Sequence, residues 1–357
     1  MATIKDVAKE AGVSVATVSR VVNKSPKASL ASVKCVKAAM SKLGYRPNAN
    51  ARALVNQSTN MVGVLVADVS DPFFGNAVQA IDNVAQDHGK HILICNGYHD
   101  KKHERDAIEL LINSRCESLI IHAKSLSDNE LIGFANEVPG MVIINRHIPE
   151  LANRCISLDN RKGSYLATEF LIRHGHTKIA CIASSHAIED ADERIEGYLA
   201  AMKDNNLKAP KNYIEYGSPN SEGGEYAATN LLTKSISFTA VVAYNDYMAA
   251  GAISIFEENG MKVPEEMSIV GFDDGLIARY IQPKLTTIRY PVQLMAEKAA
   301  QLSFALAKNE QIEPETNRFS PTIVRRESVK KHQLVSSSTH QKTKTDEKTT
   351  NIKLFSR

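Results

Sequence analysis

Apolar residues near the start of the chain fall on a helical period. Ile4, Val7, Ala8 and Ala11 recur at i, i+3, i+4 and i+7, which predicts a short helix with one buried face. Thr3 stands where a helix cap belongs, Asp6 lies near the positive helix end, and Gly12 permits a left-handed stop. Ser14 caps a second helix whose inner face is Val18, Val21 and Val22 and whose other face carries Ala16, Arg20 and Asn23. A third helix from about Ser29 to Leu43 carries the stripe Val33, Val36, Met40 and Leu43 and ends at Gly44. The pattern predicts a small three-helix head. Spacing alone leaves two readings of its first two helices: an amphipathic hairpin inside a core, or a helix-turn-helix whose second helix enters a DNA groove. On the second reading, small outward residues let the backbone lie close to base edges, and Arg20 can bond guanine O6 and N7 bidentately.

The next stretch, Pro47–Gln57, has a proline start and an alanine-rich body, both helix-favouring. It is shorter than the ~12–15 residues an isolated helix needs in water, so it should form only against DNA, a second copy of itself, or both. Leu54 then has two uses, as a wedge between base steps in the minor groove or as an inward contact to the next domain.

From Met61 the period changes. The apolar runs MVGVLVAD, HILICN, SLIIHA and MVIIN alternate with helical stretches, and a second series, CISLD, KIACIA, YIEYG, FTAVVAY and MSIVGFDD, repeats the plan. Strand–helix alternation predicts parallel sheets covered by helices on both faces. The fold class is therefore α/β: a small all-α head followed by two doubly wound lobes with a cleft between them. Ligands of such sheets bind at the carboxyl ends of the strands, where Asp68, Asn96, Asn145, Tyr244, Asn245, Asp246, Asp273 and Asp274 stand. A helix over about Leu294–Leu306 is expected to return to the first lobe, and Phe319–Val324 to form a late strand crossing back. Expected boundaries are 1–46 for the head, 47–59 for a hinge helix and 60–329 for the body. Lobe 1 takes about 60–158 and 294–318, lobe 2 about 159–291 and 319–329. Residues 330–357, poor in apolar groups and rich in Ser, Thr and Lys, read as a disordered tail.

Charge sharpens the picture of the head. The 357-residue chain has a net charge of only +3, but residues 1–57 hold ten Lys and Arg against two acids, while 58–329 is net acidic. A basic head on an acidic body suggests a polyanion partner for the head alone, with Lys24, Lys27, Lys34, Lys37 and Lys42 as candidate phosphate contacts. The five cysteines, Cys35, Cys95, Cys116, Cys155 and Cys181, are scattered and read as small hydrophobes in a reducing cytosol. No signal peptide and no membrane-length apolar run is present, so a cytoplasmic protein, nucleoid-associated when on DNA, is expected.

Other signals carry less. His99 and His103 read as a solvated pair, and His174, His176 and His186 lack a third ligand at a plausible spacing. Asp190, Asp192 and Glu193 resemble a hydrolytic acidic pair, but helix-start electrostatics explains them more simply. With no phosphate loop, nucleophile elbow or dinucleotide fingerprint, no enzyme signature, metal or cofactor is expected.

The chain resembles the lactose/galactose repressor family of bacterial transcription regulators, nearest its galactose-responsive branch. The likeness runs from Met1 to about Val329. It is carried by MATIKDVA, AGVSVATVSRVVN and SPKAS in the head and PNANARAL in the hinge. In the body it is carried by DVSDPFFG, NGYH, PGMVIINR, YNDYMAAGA, GFDD, LTTIRYP and SPTIVRR. The resemblance implies a homodimer on a near-palindromic double-stranded operator, with no membrane partner. It puts Val15 and Ala16 at specificity positions, Arg20 at a base-contacting arginine and Leu54 at the hinge leucine. Thr3, Ser14, Thr17, Ser19, Asn23, Asn48 and Ala51 complete the candidate DNA-contacting set. It also implies a sugar inducer in the cleft, D-galactose, gripped by Arg194, which falls three residues before Gly197, with Asn245 and Asp273 reading hydroxyls. Phe73 and Phe74 offer an apolar wall to a sugar ring. Asn145, followed by Arg146, completes the set, although some family members carry Asp at that first position. For all of these strand-end residues, turn formation and capping are the alternative use. The alternatives are a sugar-responsive regulator with a different small-molecule effector and, behind it, a sugar-binding transport protein, whose two-lobed body would follow the same pattern.

Overall fold

The computed structural model describes residues 2–23, 25–46, 59–310 and 317–332. Lys24, the hinge positions Asn48, Ala51 and Leu54, and the chain after His332 lie outside the described residues.

The head contains helices Ile4–Ala11, Val15–Val22 and Leu30–Lys42. Its ends are set by short polar side chains. Thr3 and Asp6 form a reciprocal capping box, Ser14 accepts from the Thr17 amide, Ser29 accepts from Ser32, and Gly12 stops the first helix at φ 65°. Val7, Ala8, Val18, Val21, Val36 and Ala39 close its core. The periodicity of the apolar positions thus becomes a packed three-helix unit whose second helix keeps one face outward.

The body is built from two sheets of the same plan. The first contains β1 (Met61–Val66), β2 (His91–Asn96), β3 (Ser118–Ile121), β4 (Gly140–Ile144) and β5 (Cys155–Leu158). The second contains β6 (Ile179–Ser184), β7 (Ile214–Gly217), β8 (Ala240–Ala243), β9 (Ser268–Asp273) and β10 (Thr286–Arg289). Each is extended by one short late strand, β11 (Arg318–Phe319) beside β5 and β12 (Thr322–Val324) beside β10. The orders are β11-β5-β4-β3-β1-β2 and β12-β10-β9-β8-β6-β7, and every pairing is parallel except β10 with β12.

Alternation along β1 shows how both faces are hidden. Val62, Val64 and Val66 share a core with Ile81 of helix Pro72–Asp87 and Ala299 of helix Val292–Ala307. Leu65 points the other way, into a core with Ile108 and Leu111 of helix Lys101–Asn113. Helix Val292–Ala307 follows the last parallel strand of the second lobe but packs on helix Pro72–Asp87 and β4 of the first. Ser303 Oγ donates to the Gly140 carbonyl at 2.5 Å. The chain therefore crosses between lobes after β5, after β10 and between β11 and β12.

Two expectations need correction. Phe319–Val324 is not one strand: Phe319 pairs with Leu158 in the first sheet, and only Thr322–Val324 joins the second. Pro321 lies between, with no N–H for a ladder and a restricted residue before it. Packed structure also continues to His332, inside the segment 330–357 expected to be a disordered tail. His332 N donates to His174 O at 2.8 Å, its ring stacks on buried His176, and the Lys330 carbonyl meets His176 Nε2 at 3.0 Å.

Gly197 shows how closely the second lobe is packed. A Cβ built there would lie 2.1 Å from the Arg161 carbonyl oxygen, because helix Glu189–Asp204 runs against helix Asn160–Arg173. Gly197→Ala should separate these helices and cost ~1–3 kcal/mol of stability. The measurement is the urea midpoint; an unchanged midpoint would refute the close-packing account.

Candidate DNA-reading face and effector cleft

The outward face of helix Val15–Val22 is free for a partner. Val15, Ala16, Arg20 and Asn23 are exposed, and Arg20 makes no ion pair among the described residues. Val15 is an unusual surface residue, an apolar side chain 42% exposed at the helix start. The remaining head candidates also have local work. Thr3 Oγ1 donates to Asp6 at 2.8 Å, the Ser14 and Thr17 hydroxyls are 2.9 Å apart, and Asn23 Nδ2 reaches Ser19 Oγ at 3.4 Å.

In the body, the carboxyl ends of both sheets open onto one cleft of about 1010 Å³. Phe73, Phe74, Asn145, Arg194, Asn245 and Asp273 all line it. The two phenylalanines begin helix Pro72–Asp87, capped by Asp71. Their rings meet edge-to-face at 5.1 Å, and Phe73 meets Tyr290 in the same way at 4.9 Å. Arg194 is buried with its guanidinium carbon over two rings, 3.6 Å from the Phe272 centroid and 4.4 Å from that of Tyr244. Its Nε donates to Asn160 Oδ1 at 3.0 Å, Nη1 donates to the Tyr244 carbonyl, and Nη2 lies 3.8 Å from Asp273 Oδ1. The fork is thereby held and aimed.

The carboxylates around it are controlled by burial. Asp273 is pushed well above the ordinary carboxylate range by desolvation, with Arg194 pulling the other way. Asp274 is bonded by two arginines: Arg289 Nε donates to one oxygen at 2.9 Å and Arg326 donates to the other. Asn245 caps helix Asp246–Glu258, accepting from the Met248 amide at 2.8 Å and donating to the Pro219 carbonyl at 2.9 Å. Its capping use is therefore realised, and one acceptor site and one N–H remain for a ligand.

Arg146 is a correction. Asn145 adopts a left-handed φ of 61°, which turns the chain, and the Arg146 guanidinium leaves the cleft for the Ala123 and Leu126 carbonyls and Asp128. Asp190 is a second correction. It does lie in the first turn of helix Glu189–Asp204, as expected, but it is also a buried cleft residue, bonded to Lys124 and Asn145 of the other lobe. The signal was available, since Asp190 and Arg194 are one helical turn apart and share a face.

His99 and His103 are not a pair either. His103 bonds Asp100 at 2.8 Å, whereas His99 turns into the cleft beside His122 and His186, at ring separations of 5.6 and 5.3 Å. Burial holds His99 down to about 4, with His186 and Lys124 adding repulsion, and drives His122 well below its ordinary value. Burial lowers His186 as well. His122 could have been found as the polar residue ending SLII, by the strand-end rule that picked Asn145. Among the described residues no group of His, Cys, Asp and Glu is arranged to hold a metal ion. No helix there is long and apolar enough to cross a membrane.

A helix-turn-helix head on a two-lobed body with an interlobe cleft defines the class: a DNA-binding regulator controlled by a small ligand. Comparisons with known proteins agree. Residues 3–48 match the model of bacterial regulatory proteins of the lacI family, and residues 168–329 match a periplasmic binding protein-like domain. The chain is 53% identical over 329 residues to the HTH-type transcriptional regulator GalR of Escherichia coli (strain K12), covering 92% of this chain and 96% of that protein. Among solved structures it is similar to the lac repressor dimer bound to operator and the anti-inducer ONPF, with a TM-score of 0.82 and 26% identity, covering 92% and 99% of the two chains. It is also similar to a complex of the transcriptional regulator CelR with cellobiose, with a TM-score of 0.68 and 28% identity, covering 92% and 100%. The chain belongs to the lacI family of bacterial regulatory proteins. A regulatory head on the same chain sets aside the transport-protein reading.

Asp246 gives the cleft a pH signature. Burial raises it from 3.8 to about 7, opposed by hydrogen bonds from the Thr287 hydroxyl and the Gly275 amide. The native state keeps this proton after the unfolded chain has lost it, so the contribution falls as pH rises from 3.8 towards about 7. Asp246→Asn should flatten that part of the stability curve, read as urea midpoints across pH. A slope identical to the unsubstituted protein's would remove Asp246 as its source.

Proposed function

We propose that the protein is a sequence-specific transcriptional repressor of sugar metabolism and transport genes, galactose genes in particular, released from its operator by a sugar inducer, D-galactose. It acts by binding rather than by catalysis, in the cytoplasm, as a homodimer on a near-palindromic site. The observation that carries the reading is the Arg194 guanidinium, packed over the Tyr244 and Phe272 rings, in a cleft walled by Phe73 and Phe74. A planar fork of N–H donors suits neighbouring hydroxyls, and aromatic faces suit the C–H side of a sugar ring. Asn245 and Asp273 supply further hydroxyl partners, and Asn145 stands on the opposite wall. The 53% identity to GalR over 329 residues supports D-galactose over other hexoses.

The mechanism follows from a cleft shared by two lobes. A sugar bound to both lobes favours the arrangement in which both sets of contacts are made. The hinge joins the head to the first lobe, so a shift in lobe arrangement changes how the paired heads meet DNA. Coupling of ~1–3 kcal/mol is enough for regulation. Two-fold protein symmetry then matches two operator half-sites, each read by one helix Val15–Val22 in the major groove.

Operator affinity measured with and without D-galactose tests the proposal: the sugar should weaken binding roughly 5–150-fold. Unchanged affinity in galactose, with release by another sugar, would overturn the inducer assignment. Arg20→Ala should cost roughly 1–3 kcal/mol at one base pair per half-site and relax preference there. Equal loss on every DNA sequence would instead make Arg20 a phosphate contact.

A further inference from the structure

Three imidazoles meet where the lobes face each other. His99 follows β2 and His122 follows β3 of the first lobe, while His186 follows β6 of the second. The His99 and His186 rings stand 5.3 Å apart across the interlobe space, and the His99 and His122 rings 5.6 Å apart within the first lobe. The backbone fixes this contact from both sides. Tyr98 and His99 are consecutive left-handed residues, at φ 53° and 52°, a region that residues with a side chain seldom adopt. The Ser125 hydroxyl donates to the His99 carbonyl at 2.6 Å, and the His186 amide donates to Ser184 Oγ at 3.1 Å. His122 is buried behind them, edge-on to Phe74 at 4.8 Å.

The cluster is built against charge. The Nδ1 atoms of His99 and His122 are buried with no hydrogen-bond partner. Desolvation, then repulsion from His186 and Lys124, holds His99 down to about 4 from an ordinary 6.5. Desolvation also lowers His122, with Lys124 and His99 adding repulsion, and it lowers His186. Asp190 pulls the other way at His99, but it already pairs with Lys124 at 2.7 Å and accepts from Asn145 at 2.6 Å.

The burial of His99 and His186 depends on how the lobes stand. Their backbones belong to different lobes, so separating the lobes takes each ring from the other and into water, where an imidazole returns towards 6.5. The separated arrangement then binds protons that the described one refuses. A group whose value is depressed in one arrangement favours that arrangement above its ordinary value and opposes it as pH falls below. Acid passing through the ordinary imidazole range therefore drives the lobes apart.

We propose that the His99–His186 contact makes the protein a proton sensor as well as a ligand sensor, with acid separating the lobes and opposing the sugar. The effect on sugar rests on the reading of the cleft as a sugar site; the separation of the lobes by protons does not. Acid returns the regulator to its operator while sugar is still present. The buried carboxylates of the cleft, Asp71, Asp246 and Asp273, act with the opposite sign, because burial raises them. The sensor is therefore read as the difference that removing one imidazole makes.

Calorimetry on the full chain with D-galactose at about pH 7.5 and 5.5 gives that difference. Each imidazole freed by separation should weaken binding roughly 3–10-fold over this interval. His99→Asn, which suits a left-handed backbone, should remove about that factor from the pH dependence, and His186→Gln should do the same from the opposite lobe. Repeating the titration near pH 6 in two buffers of different ionisation heat counts protons. The unsubstituted protein should release about 0.5–1 proton more on binding than either variant. If one variant fails to fold, the other supplies the same readout. A pH dependence and proton count that neither substitution alters would overturn the sensor. If the unsubstituted protein binds no galactose at either pH, the sugar reading fails and the sensor is decided on the sugar-free chain. Nuclear magnetic resonance of the imidazole C–H signals should then show the His99 midpoint rising in His186→Gln. A His99 midpoint indifferent to His186 would refute the contact and the sensor with it.

Discussion

A parallel sheet cannot leave either face in water, and most of this body follows from that constraint. Val62, Val64 and Val66 on one side of β1, and Leu65 on the other, each require a helical layer. Crossover helices supply those layers, and they return every strand in the same direction. All carboxyl ends of a lobe therefore come out on one edge. Setting two such edges against each other creates a cleft lined by strand-end loops, where polar residues are free of the ladder. The ligand site is a consequence of covering the sheets.

What distinguishes this cleft is how its charges are held. Arg194 lies over the Phe272 and Tyr244 rings, with a side-chain carbonyl, a backbone carbonyl and a carboxylate around its edge. Asp274 is gripped by Arg289 and Arg326, and Asp190 by Lys124. Each buried charge has a partner, as the cost of burying an unpaired one demands. The three imidazoles do the reverse. Burial disfavours their charged form, and the Nδ1 atoms of His99 and His122 are buried with no hydrogen-bond partner. The cleft thus has a satisfied, charged region around Arg194 and Asp190 and an imidazole-lined one where charge is disfavoured.

Much of the architecture is legible in residue order because it rests on local periodicity. The 3.6-residue stripe of the head and the strand–helix alternation of the body depend on neighbours within a few positions. So do the caps at Thr3, Ser14 and Ser29. The cleft lining is legible where a rule links position to direction, as for the strand-end residues Asn245 and Asp273, whereas Phe73 and Arg194 enter only through the family resemblance. It fails where direction depends on a single backbone angle. A left-handed Asn145 sends Arg146 to the far side of its loop, and no composition signal marks that turn. It fails again where partners are distant. Lys124 and Asp190 are 66 residues apart, so the aspartate looks like an ordinary helix-start acid until the lobes are set together. The division of Phe319–Val324 turns on Pro321, which a hydrophobic pattern passes over.

The return of helix Val292–Ala307 to the first lobe has a consequence for biosynthesis. A ribosome releases the chain from its N-terminus, and the head, with its own core, is complete by Arg46. The first lobe is not complete when its five parallel strands have emerged. The face of β4 that holds Val142, and the helix Pro72–Asp87 beside it, lack their covering helix until Ala307 is made. The edge of β5 waits for Phe319. Every nascent chain therefore carries a folded head on a half-built sensor while the whole second lobe is translated. Exposed sheet surface over that interval is what chaperones bind, and aggregation competes for it. The order of the gene thus places the finishing of both lobes after both sets of parallel strands have been translated.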